Sequence, residues 1–410
     1  MTRWSEGYIK FCSALSGEPV GVPVAAQLQD HAMCLTGCPA DIFFSDPEAL
    51  TEIVLLVTEY YGFDLPYLIW DVYNIEAEAL GQLLKHHPFT MPDIDQTDPL
   101  IKSEKDLDKI KLIDPKSSGR MPMVLESYRL YEKYTGLVPT LQVCGPFSLA
   151  CGIRSYIGMI NDIEKRPKFA HEMLKRLCDD VLLPWIRVQH ETVPKAKVIV
   201  VADAWGSLPN VDLRIFEEFV VPYIKRLDDG AQQYGIRVSG AGYWGESCLQ
   251  EPLKLLEAKA QISRYSPLGL TGLDPDVDIL GPEIFKDAAV KYDLPLVLGI
   301  DALLLNNGPV KAIIERVKRY IKAGAPGGRF AILFNNIPAH TPPRHIHTAV
   351  EAVRVYGKYP VDTDLKIKVK TPRRESFQKF IERKLADNPE GYTFSWYQAP
   401  TVSKKTFSLS

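Results

Sequence analysis

The chain alternates short apolar runs with longer amphipathic stretches. Most of the apolar runs are rich in Val, Ile and Leu and lack a polar residue at every second position, as strands buried on both faces of a parallel sheet do. The runs that predict strands are residues 22–27, 67–71, 140–144, 198–203, 236–239, 262–266, 296–301 and 330–335.

Helical spacing of apolar residues follows most of these runs, and several of the helices begin at a proline. The pairs Asp46-Pro47, Gly308-Pro309 and Thr341-Pro342 each precede such an apolar face. Proline in the first turn of a helix loses no hydrogen bond and presets φ, so these pairs predict helix starts. Prolines inside a helical pattern predict an interruption, and those in the longest patterns are Pro167, Pro184 and Pro222.

Alternation of strands and helices implies parallel strands joined by right-handed crossovers. Eight such units favour closure into a (β/α)8 TIM barrel of the α/β class over an open sheet. The stretch 72–138 is longer than one connecting helix needs and predicts a helical insertion in the N-terminal half. We therefore expect a single-domain barrel over 1–365. The remainder, 366–410, is expected to form a short C-terminal helix near 375–385 and a tail that wraps the domain or a second subunit, so a homodimer is possible.

Composition excludes several classes of protein. The 410 residues are 46% hydrophobic and 24% charged, with a formal net charge of −3, which are ordinary globular values. The chain has no block of Lys and Arg, so we expect no nucleic-acid partner. No apolar run approaches the roughly 18 residues that span a bilayer, and the first residues lack the apolar core of a signal peptide. These features, with seven cysteines, an odd number, predict a cytoplasmic protein with free thiols and no membrane association.

Polar residues close nearly every predicted strand. Asp71, Asp203 and Asp301 each end an apolar run, and Asn335 ends the last one. Any one of these aspartates could cap the helix that follows it. A strand of Val, Ile and Leu nevertheless has no structural need for a carboxylate, and the chemistry of such barrels lies at the carboxyl ends of their strands. Together these residues predict a polar pocket in an enzyme.

Aromatic residues cluster at the same predicted end of the barrel. Trp70, Tyr73, Trp205, Tyr243 and Trp244 lie at or just after strand ends. Core packing accounts for one or two such residues, whereas four or more at one face predict a pocket mouth suited to an apolar, planar ligand.

Three segments, in order along the chain, resemble signatures of the uroporphyrinogen-decarboxylase superfamily. They are WDVYNIEAEALG at 70–81, CGPFSLACGI at 144–153 and VVADAWGSLPNVDLRIFEEFVVPYIKRL at 200–227. The first is similar to the D…EAEA-G stretch of the corrinoid-linked methyltransferases in that superfamily. The resemblance implies a (β/α)8 barrel and places the chain on the methyltransferase branch.

The chain departs from the decarboxylases in the segment after the first strand. Decarboxylases carry an arginine-rich RQAGRY motif there, which binds the propionates of the substrate, whereas this chain has AAQLQDHAMC at 25–34. A tetrapyrrole with many carboxylates needs cations around it. Uroporphyrinogen is therefore not the expected substrate, although Asp71 matches the decarboxylases' pyrrole-binding aspartate.

The chain also departs from the thiol-methylating members, which bind zinc through H-x-C and a later cysteine. The corresponding positions hold Arg237, Ser239 and either Asn335 or Asn336, so the usual zinc ligands are missing. Zinc remains possible through other ligands, and weak candidates for them are Glu246, Cys248 and His340. Structural roles explain these three residues better, as a helix cap, a core position and a position before a helix, and whether a metal is bound stays open.

The remaining branch implies an O-demethylase. Such a methyltransferase takes the methyl group from a small donor, here a methoxylated aromatic, and passes it to the cobalamin of a separate corrinoid protein. Phenoxide is a poor leaving group, so the ether oxygen needs a proton donor or a Lewis acid, and the expected catalytic residues are Asp71, Asp203 and Glu246. The residues expected to bind the donor are Tyr73, Trp205, Arg237, Tyr243, Trp244, Asp301 and Asn335.

Two other functions stay open at the level of the sequence. One is a metal-free decarboxylase of a small aromatic or pyrrole carboxylic acid, in which the same carboxylates hold a protonated ring while carbon dioxide leaves. The other is a non-catalytic scaffold that binds another enzyme. Gas release in the absence of any corrinoid distinguishes the decarboxylase from the methyltransferase.

Overall fold

A computed structural model describes residues 3–111, 113–266, 268–362 and 366–397. The strands in this part of the chain are β1 (Val24–Ala26), β2 (Leu84–Lys85), β3 (Asp93–Ile94), β4 (Leu141–Cys144), β5 (Val198–Ala202), β6 (Arg237–Ala241), β7 (Leu270–Leu273), β8 (Leu296–Ile300) and β9 (Phe330–Phe334).

The barrel strands form two parallel sheets, β4-β5-β6 and β7-β8-β9-β1. The first strand pairs with the last, Val24 opposite Ile332, so the chain closes on itself. Residues 67–71 occupy the position between β1 and β4 without forming a strand, since Leu65 makes a parallel bridge to Ala25 in β1 and Gln142 Nε2 in β4 donates to Leu68 O at 2.9 Å. The predicted (β/α)8 barrel is confirmed, with an irregular segment in its second position.

Two further predicted strands differ from the structure. The run 262–266 is not a strand, because Ile262 continues the buried helical face of Leu255 and Lys259 and ends the helix there. The strand at this position is β7, which begins at Leu270. Strand β6 continues beyond the predicted end at Ser239 to Ala241. Its last residues are Gly and Ala, which carry no strand signal in the sequence.

Helices cover the outside of the barrel. Two of the predicted interruptions are wide, π-type turns, at Leu177–Leu182 and Phe216–Val220.

No helix among the described residues is both long and apolar enough to cross a membrane. The α-helices are Arg3–Ser16, Gln29–Thr36, Ala40–Phe43, Pro47–Tyr61, Ile75–Ala79, Met121–Thr135, Pro146–Arg154, Tyr156–Lys165, Pro167–Arg176, Leu183–Thr192, Leu213–Ile215, Val221–Ala231, Pro252–Ile262, Asp276–Leu280, Pro282–Lys291, Ala302–Asn307, Val310–Gly324, Pro343–Tyr356 and Phe377–Ala386.

The insertion and the C-terminal segment both pack on the barrel. The described residues of 72–138 form two α-helices, the 3-10 helix Glu104–Lys109 and the antiparallel hairpin β2–β3. The C-terminal segment covers the buried carboxylate of Glu52, which accepts hydrogen bonds from Phe394 N at 3.0 Å and Trp396 Nε1 at 2.9 Å. The described part of the tail therefore wraps its own domain, and the predicted tail beyond residue 397 lies outside the described residues.

Candidate active site at the barrel mouth

A cavity of about 380 Å³ lies at the carboxyl ends of the barrel strands. Its walls include residues from both sheets, from the 67–71 segment and, through Met91, from the β2–β3 hairpin. Four aromatic residues, Tyr67, Trp70, Tyr73 and Trp244, contribute to the wall. Polar residues in the wall include Gln27, Asp30, Gln142, Asp203, Thr271 and Asn335.

Asp203 follows β5 and is the most strongly constrained carboxyl group of the cavity. It is 3% exposed. Its Oδ1 accepts a hydrogen bond from Ser148 N at 2.7 Å, in the first turn of the helix Pro146–Arg154, and Tyr243 Oη donates to Oδ2 at 3.4 Å. Burial raises the pKa of Asp203 to about 6, and the bonds from Ser148 and Tyr243 oppose that rise. A carboxyl group with this pKa exchanges a proton near neutrality, as a general acid must.

Gly145 leaves the space that Asp203 needs. A Cβ atom at position 145 would lie 2.1 Å from Asp203 Cγ, which is far inside van der Waals contact. The φ of Gly145 is −69°, so steric exclusion and not backbone conformation requires glycine here. The glycine lets the end of β4 and the following helix approach the Asp203 carboxylate.

We expect Gly145→Ala to destabilise the protein by about 1–3 kcal/mol, the usual cost of overpacking a core position. The change also displaces Asp203 from Ser148, so activity falls with stability. Urea denaturation measures the first effect. The matched second variant is Gly145→Ala/Asp203→Gly, which removes the colliding side chain and restores most of the lost stability. Equal unfolding midpoints for Gly145→Ala and the wild type contradict this packing.

Asp71 is fully buried but does not line the cavity. Arg120 holds it from the insertion through two bonds, Nη1 to Oδ1 at 2.9 Å and Nη2 to Oδ2 at 2.6 Å, and Asn74 Nδ2 donates to Oδ2 at 3.3 Å. Burial raises the pKa of Asp71, and Arg120 opposes the rise. The structure thus places this predicted catalytic residue in an ion pair that fixes the insertion to the barrel. No sequence pattern pointed to Arg120, which lies 49 residues from Asp71 along the chain.

Glu246 is buried beside Lys259 and also lies outside the cavity wall. Lys259 Nζ binds Glu246 Oε1 and donates to Tyr243 O and Thr271 O, each at 2.7 Å. Burial raises the pKa of Glu246, and Lys259 opposes the rise. The pair connects the loop that follows β6 with strand β7. It therefore supports the wall of the cavity structurally.

The structure brings four of the predicted site residues together at the cavity, namely Asp203, Tyr73, Trp244 and Asn335. Tyr243 lies behind them, buried against Phe216 at a ring-centroid distance of 5.1 Å, and contacts Asp203.

Trp205 is 37% exposed and stacks on Tyr156 with ring centroids 5.1 Å apart. It follows Asp203 along the chain but does not contribute to the cavity wall.

Two predicted donor-binding residues lie elsewhere. Arg237 is the first residue of β6, at the opposite end of the barrel. There its guanidinium pairs with Asp228, and its Cζ lies 3.7 Å from the ring centroid of Tyr265. Arg237 therefore lies away from the cavity, and the predicted contact with a donor is wrong. Asp301 caps the helix Ala302–Asn307 by accepting a hydrogen bond from Leu303 N at 2.8 Å. Its side chain is used in the cap and does not line the cavity.

The three candidate metal ligands are not grouped. Glu246 is paired with Lys259, Cys248 is exposed, and His340 Nδ1 lies 3.5 Å from Cys34 Sγ, in the loop after β9. Across the described residues, no three His, Cys, Asp or Glu side chains are arranged to hold a metal ion. At the positions aligned with the usual zinc ligands, Ser239 Oγ donates to Ile262 O at 2.9 Å. The described residues therefore do not fit the zinc site of the thiol-methylating proteins.

Sequence reasoning missed several residues of the cavity wall. Gln27, the polar residue that closes the first predicted strand, does reach the wall, whereas Asp30 had no such signal. Gln142 interrupts the apolar β4, and Thr271 lies in β7. A polar residue inside an apolar strand was the available signal for Gln142. Thr271 was missed because its strand was predicted too early in the chain.

Comparisons with known proteins agree with this architecture. The family described as uroporphyrinogen decarboxylase (URO-D) matches residues 9–356. Uroporphyrinogen decarboxylase from Methylibium petroleiphilum is 24% identical over 77% of this chain and 82% of its own length. The enzyme of the same name from Mycobacterium sp. strain KMS is 24% identical over 75% of this chain and 84% of its own. The solved structure of a methyltransferase from Methanosarcina mazei has the same fold, with a TM-score of 0.69 and 19% identity, covering 86% of this chain and 99% of that one.

Proposed function

The chain belongs to the uroporphyrinogen decarboxylase family, and from that premise we propose that it is a methyltransferase. In this proposal it demethylates a small methylated donor of the methoxylated aromatic class and passes the methyl group to a corrinoid protein. One observation carries the proposal, which is the buried Asp203 with a pKa of about 6 in a cavity with aromatic walls. A site of this kind can donate a proton to the leaving ether oxygen and can pack against a flat aromatic ring.

The chain's own residues supply binding and proton transfer. The rings of Tyr67, Tyr73 and Trp244 contact the donor's ring and exclude water from it. Asp203 donates its proton to the ether oxygen as the bond between oxygen and the methyl carbon breaks. The electron pair of that bond stays on the oxygen, so the product is a neutral phenol and not phenoxide. A reduced corrinoid held at the barrel mouth by a partner protein would supply the nucleophile for the methyl group.

The charge of the cavity argues against a tetrapyrrole substrate. Among the described residues that line it there is no Lys, Arg or His, whereas Asp30 and Asp203 are both present. A substrate with many carboxylates needs paired cations, preferably Arg. The segment after β1 contributes Gln27, Gln29 and Asp30 to the wall and no cation.

A decarboxylase remains the second candidate, because the relatives that match most of the chain carry the name uroporphyrinogen decarboxylase. In such a reaction Asp203 would protonate the ring carbon that loses carbon dioxide. The substrate would then have one carboxyl group and a ring small enough for about 380 Å³.

A panel of aromatic methyl ethers incubated with the protein and chemically reduced cobalamin separates the two candidates. The proposal predicts formation of methylcobalamin and of the matching phenol in equal amounts, with no release of gas. The control omits cobalamin and tests small aromatic and pyrrole carboxylic acids. Carbon dioxide from that control, together with no methylcobalamin from any ether, supports the decarboxylase and contradicts the methyltransferase.

The rate of demethylation is expected to fall as pH rises above about 6, because Asp203 acts in its protonated form and its pKa is about 6. The slope should approach tenfold per pH unit when the carboxyl group is fully ionised. A single-turnover rate profile over pH, with a donor that does not titrate in this range, measures it.

Tyr243→Phe provides the matched variant for this profile. Its hydroxyl stabilises the ionised form of Asp203, so removing it should move the descending limb to higher pH. A profile that is flat between pH 5 and 8 in both proteins excludes Asp203 as the acid.

A further inference from the structure

Three side-chain amides in the cavity wall, here called the amide cluster, have no hydrogen-bond partner among the described residues. Gln29 is the first residue of the helix Gln29–Thr36, and Asn335 and Asn336 follow β9. The polar atoms of these amides are not enclosed by protein. Gln29 is only 7% exposed and lines the cavity, so its amide faces the cavity. The three amides are therefore available to a ligand.

Contacts on both sides of Gln29 hold its loop against the loop that follows β9. Gln27 N donates to Phe334 O at 2.9 Å, and His31 Nδ1 lies 3.2 Å from Ala339 O. These contacts lie two residues before and two residues after Gln29. The amide cluster therefore forms one side of the cavity mouth.

Asp203 lies across the mouth from the amide cluster. Asp203 follows β5 and Asn335 follows β9. Strands β6, β7 and β8 lie between them on one side, and β1, the 67–71 segment and β4 lie between them on the other. In a barrel of eight positions, β5 and β9 are thus opposite each other. A donor that presents its ether oxygen to Asp203 directs the far end of its ring toward the amide cluster.

The cavity has no charge with which to stabilise an ionised group at that far end. The described residues that line it include no Lys, Arg or His. Asp203 acts in its protonated form, and burial raises the pKa of Asp30, which disfavours the charged form of that carboxyl group. An ion that enters such a cavity loses its hydration and gains no ion partner. An amide both donates and accepts hydrogen bonds, so the matching group is neutral and does the same.

We propose that the methyl donor is an uncharged aromatic methyl ether with a neutral group, a carboxamide or a hydroxyl, on the side of the ring remote from the methoxy group. This inference rests on the proposed function and names its substrate class. The neutral group donates hydrogen bonds to the amide cluster and accepts them from it, while the methoxy oxygen lies at Asp203. Gln29 and Asn335 are then residues that determine which donor binds.

Binding of five aromatic methyl ethers of nearly equal size tests the inference without any methyl transfer. The probes are 4-methoxybenzamide, 4-methoxybenzyl alcohol, 4-methylanisole, 4-methoxybenzoate and 4-methoxybenzylamine. They are titrated calorimetrically at about pH 5.5, where the benzoate and the amine are ionised and Asp203, with a pKa of about 6, is mostly protonated.

The benzamide and the alcohol should bind at least about 3-fold more tightly than 4-methylanisole, since a neutral hydrogen bond contributes about 2- to 10-fold in affinity. In a cavity without partners the order would be reversed, because the polar probes would lose their hydrogen bonds to water. The benzoate and the amine should each bind at least about 10-fold more weakly than the alcohol.

Gln29→Met keeps the length of the side chain and removes both of its hydrogen-bonding atoms. It should weaken binding of the benzamide and the alcohol about 3- to 10-fold and leave binding of 4-methylanisole within about twofold. Asn335→Leu, a second variant of the amide cluster, should act in the same way. Gln233→Met, at an exposed glutamine outside the cavity wall, is the matched control and should change no affinity.

Four results would overturn the inference. They are tightest binding by the benzoate or the amine, binding of 4-methylanisole at least as tight as that of the benzamide, an unchanged preference for the polar probes in both variants of the cluster, and binding of none of the probes.

The same probes separate this inference from the proposed function when reduced cobalamin is added. Selective binding of the benzamide and the alcohol without methylcobalamin formation supports the neutral site and contradicts methyl transfer. Methylcobalamin formation that is fastest with the benzoate or the amine supports methyl transfer and overturns the neutral site.

Discussion

Asp203→Asn is expected to lower the rate of demethylation by about 10²- to 10⁴-fold, the usual contribution of a positioned general acid. Asparagine keeps an oxygen that accepts the bond from Ser148 N, which Asp203 accepts at 2.7 Å, but it has no proton of suitable acidity to give to the ether oxygen. Single-turnover rates with a donor that has a poor leaving group measure the effect. A donor whose leaving group needs no proton should be affected much less.

The stability of Asp203→Asn should not fall with its rate of demethylation. Burial raises the pKa of Asp203 from 3.8 to about 6, so the folded protein holds the proton more tightly than the unfolded chain. The wild type therefore loses stability as pH rises from about 4 to about 6. The Asp203→Asn variant does not show this loss, because asparagine does not titrate. At pH 7 the unfolding temperature of Asp203→Asn should equal or exceed that of the wild type.

Asp301→Asn is the control for this variant. Asp301 is a helix cap outside the cavity, and asparagine caps as well as aspartate, so the rate should stay within about twofold of the wild type. A loss of rate in Asp301→Asn comparable with that in Asp203→Asn contradicts the assignment of the acid to Asp203.

Glu246→Leu is expected to lower the free energy of unfolding by about 3–5 kcal/mol, the cost of leaving a buried charge without its partner. The charge left behind is that of Lys259, which is buried with Glu246. Urea denaturation near neutral pH gives the change. The rate per folded molecule should stay close to that of the wild type, because Glu246 does not line the cavity.

The double variant Glu246→Leu/Lys259→Met removes both charges and should recover most of the lost stability, since apolar residues often replace a buried ion pair without loss. A Glu246→Leu protein of normal stability that has lost its activity would return Glu246 to the catalytic role expected from the sequence.

The fold was predictable because its signal is repeated. Buried parallel strands appear as continuous apolar runs, and the runs near β5, β8 and β9 coincide with the strands of the structure. The failures lie where tertiary contacts override local pattern. The 67–71 segment reads as a strand but is held by side-chain bonds such as that from Gln142, and the apolar residue at 262 belongs to a helix.

The site was predictable only in part, because a residue's place at a strand end does not give the partner of its side chain. Asp203, Tyr73, Trp244 and Asn335 reach the cavity. Asp71 and Glu246 are instead paired with Arg120 and Lys259, and both partners come from elements whose positions only the fold determines.

Transfer of an isotopically labelled methyl group from the ether to cobalamin would identify the protein as a methyltransferase. The protein is incubated with reduced cobalamin and an aromatic methyl ether whose methoxy carbon is ¹³C, and the product is analysed by mass spectrometry and NMR. The account predicts that the label appears in methylcobalamin in an amount equal to the phenol formed, and that Asp203→Asn lowers this rate at least 100-fold with a leaving group that requires protonation. Absence of label from cobalamin with every ether tested, while the same protein releases carbon dioxide from a small aromatic acid without cobalamin, would contradict it.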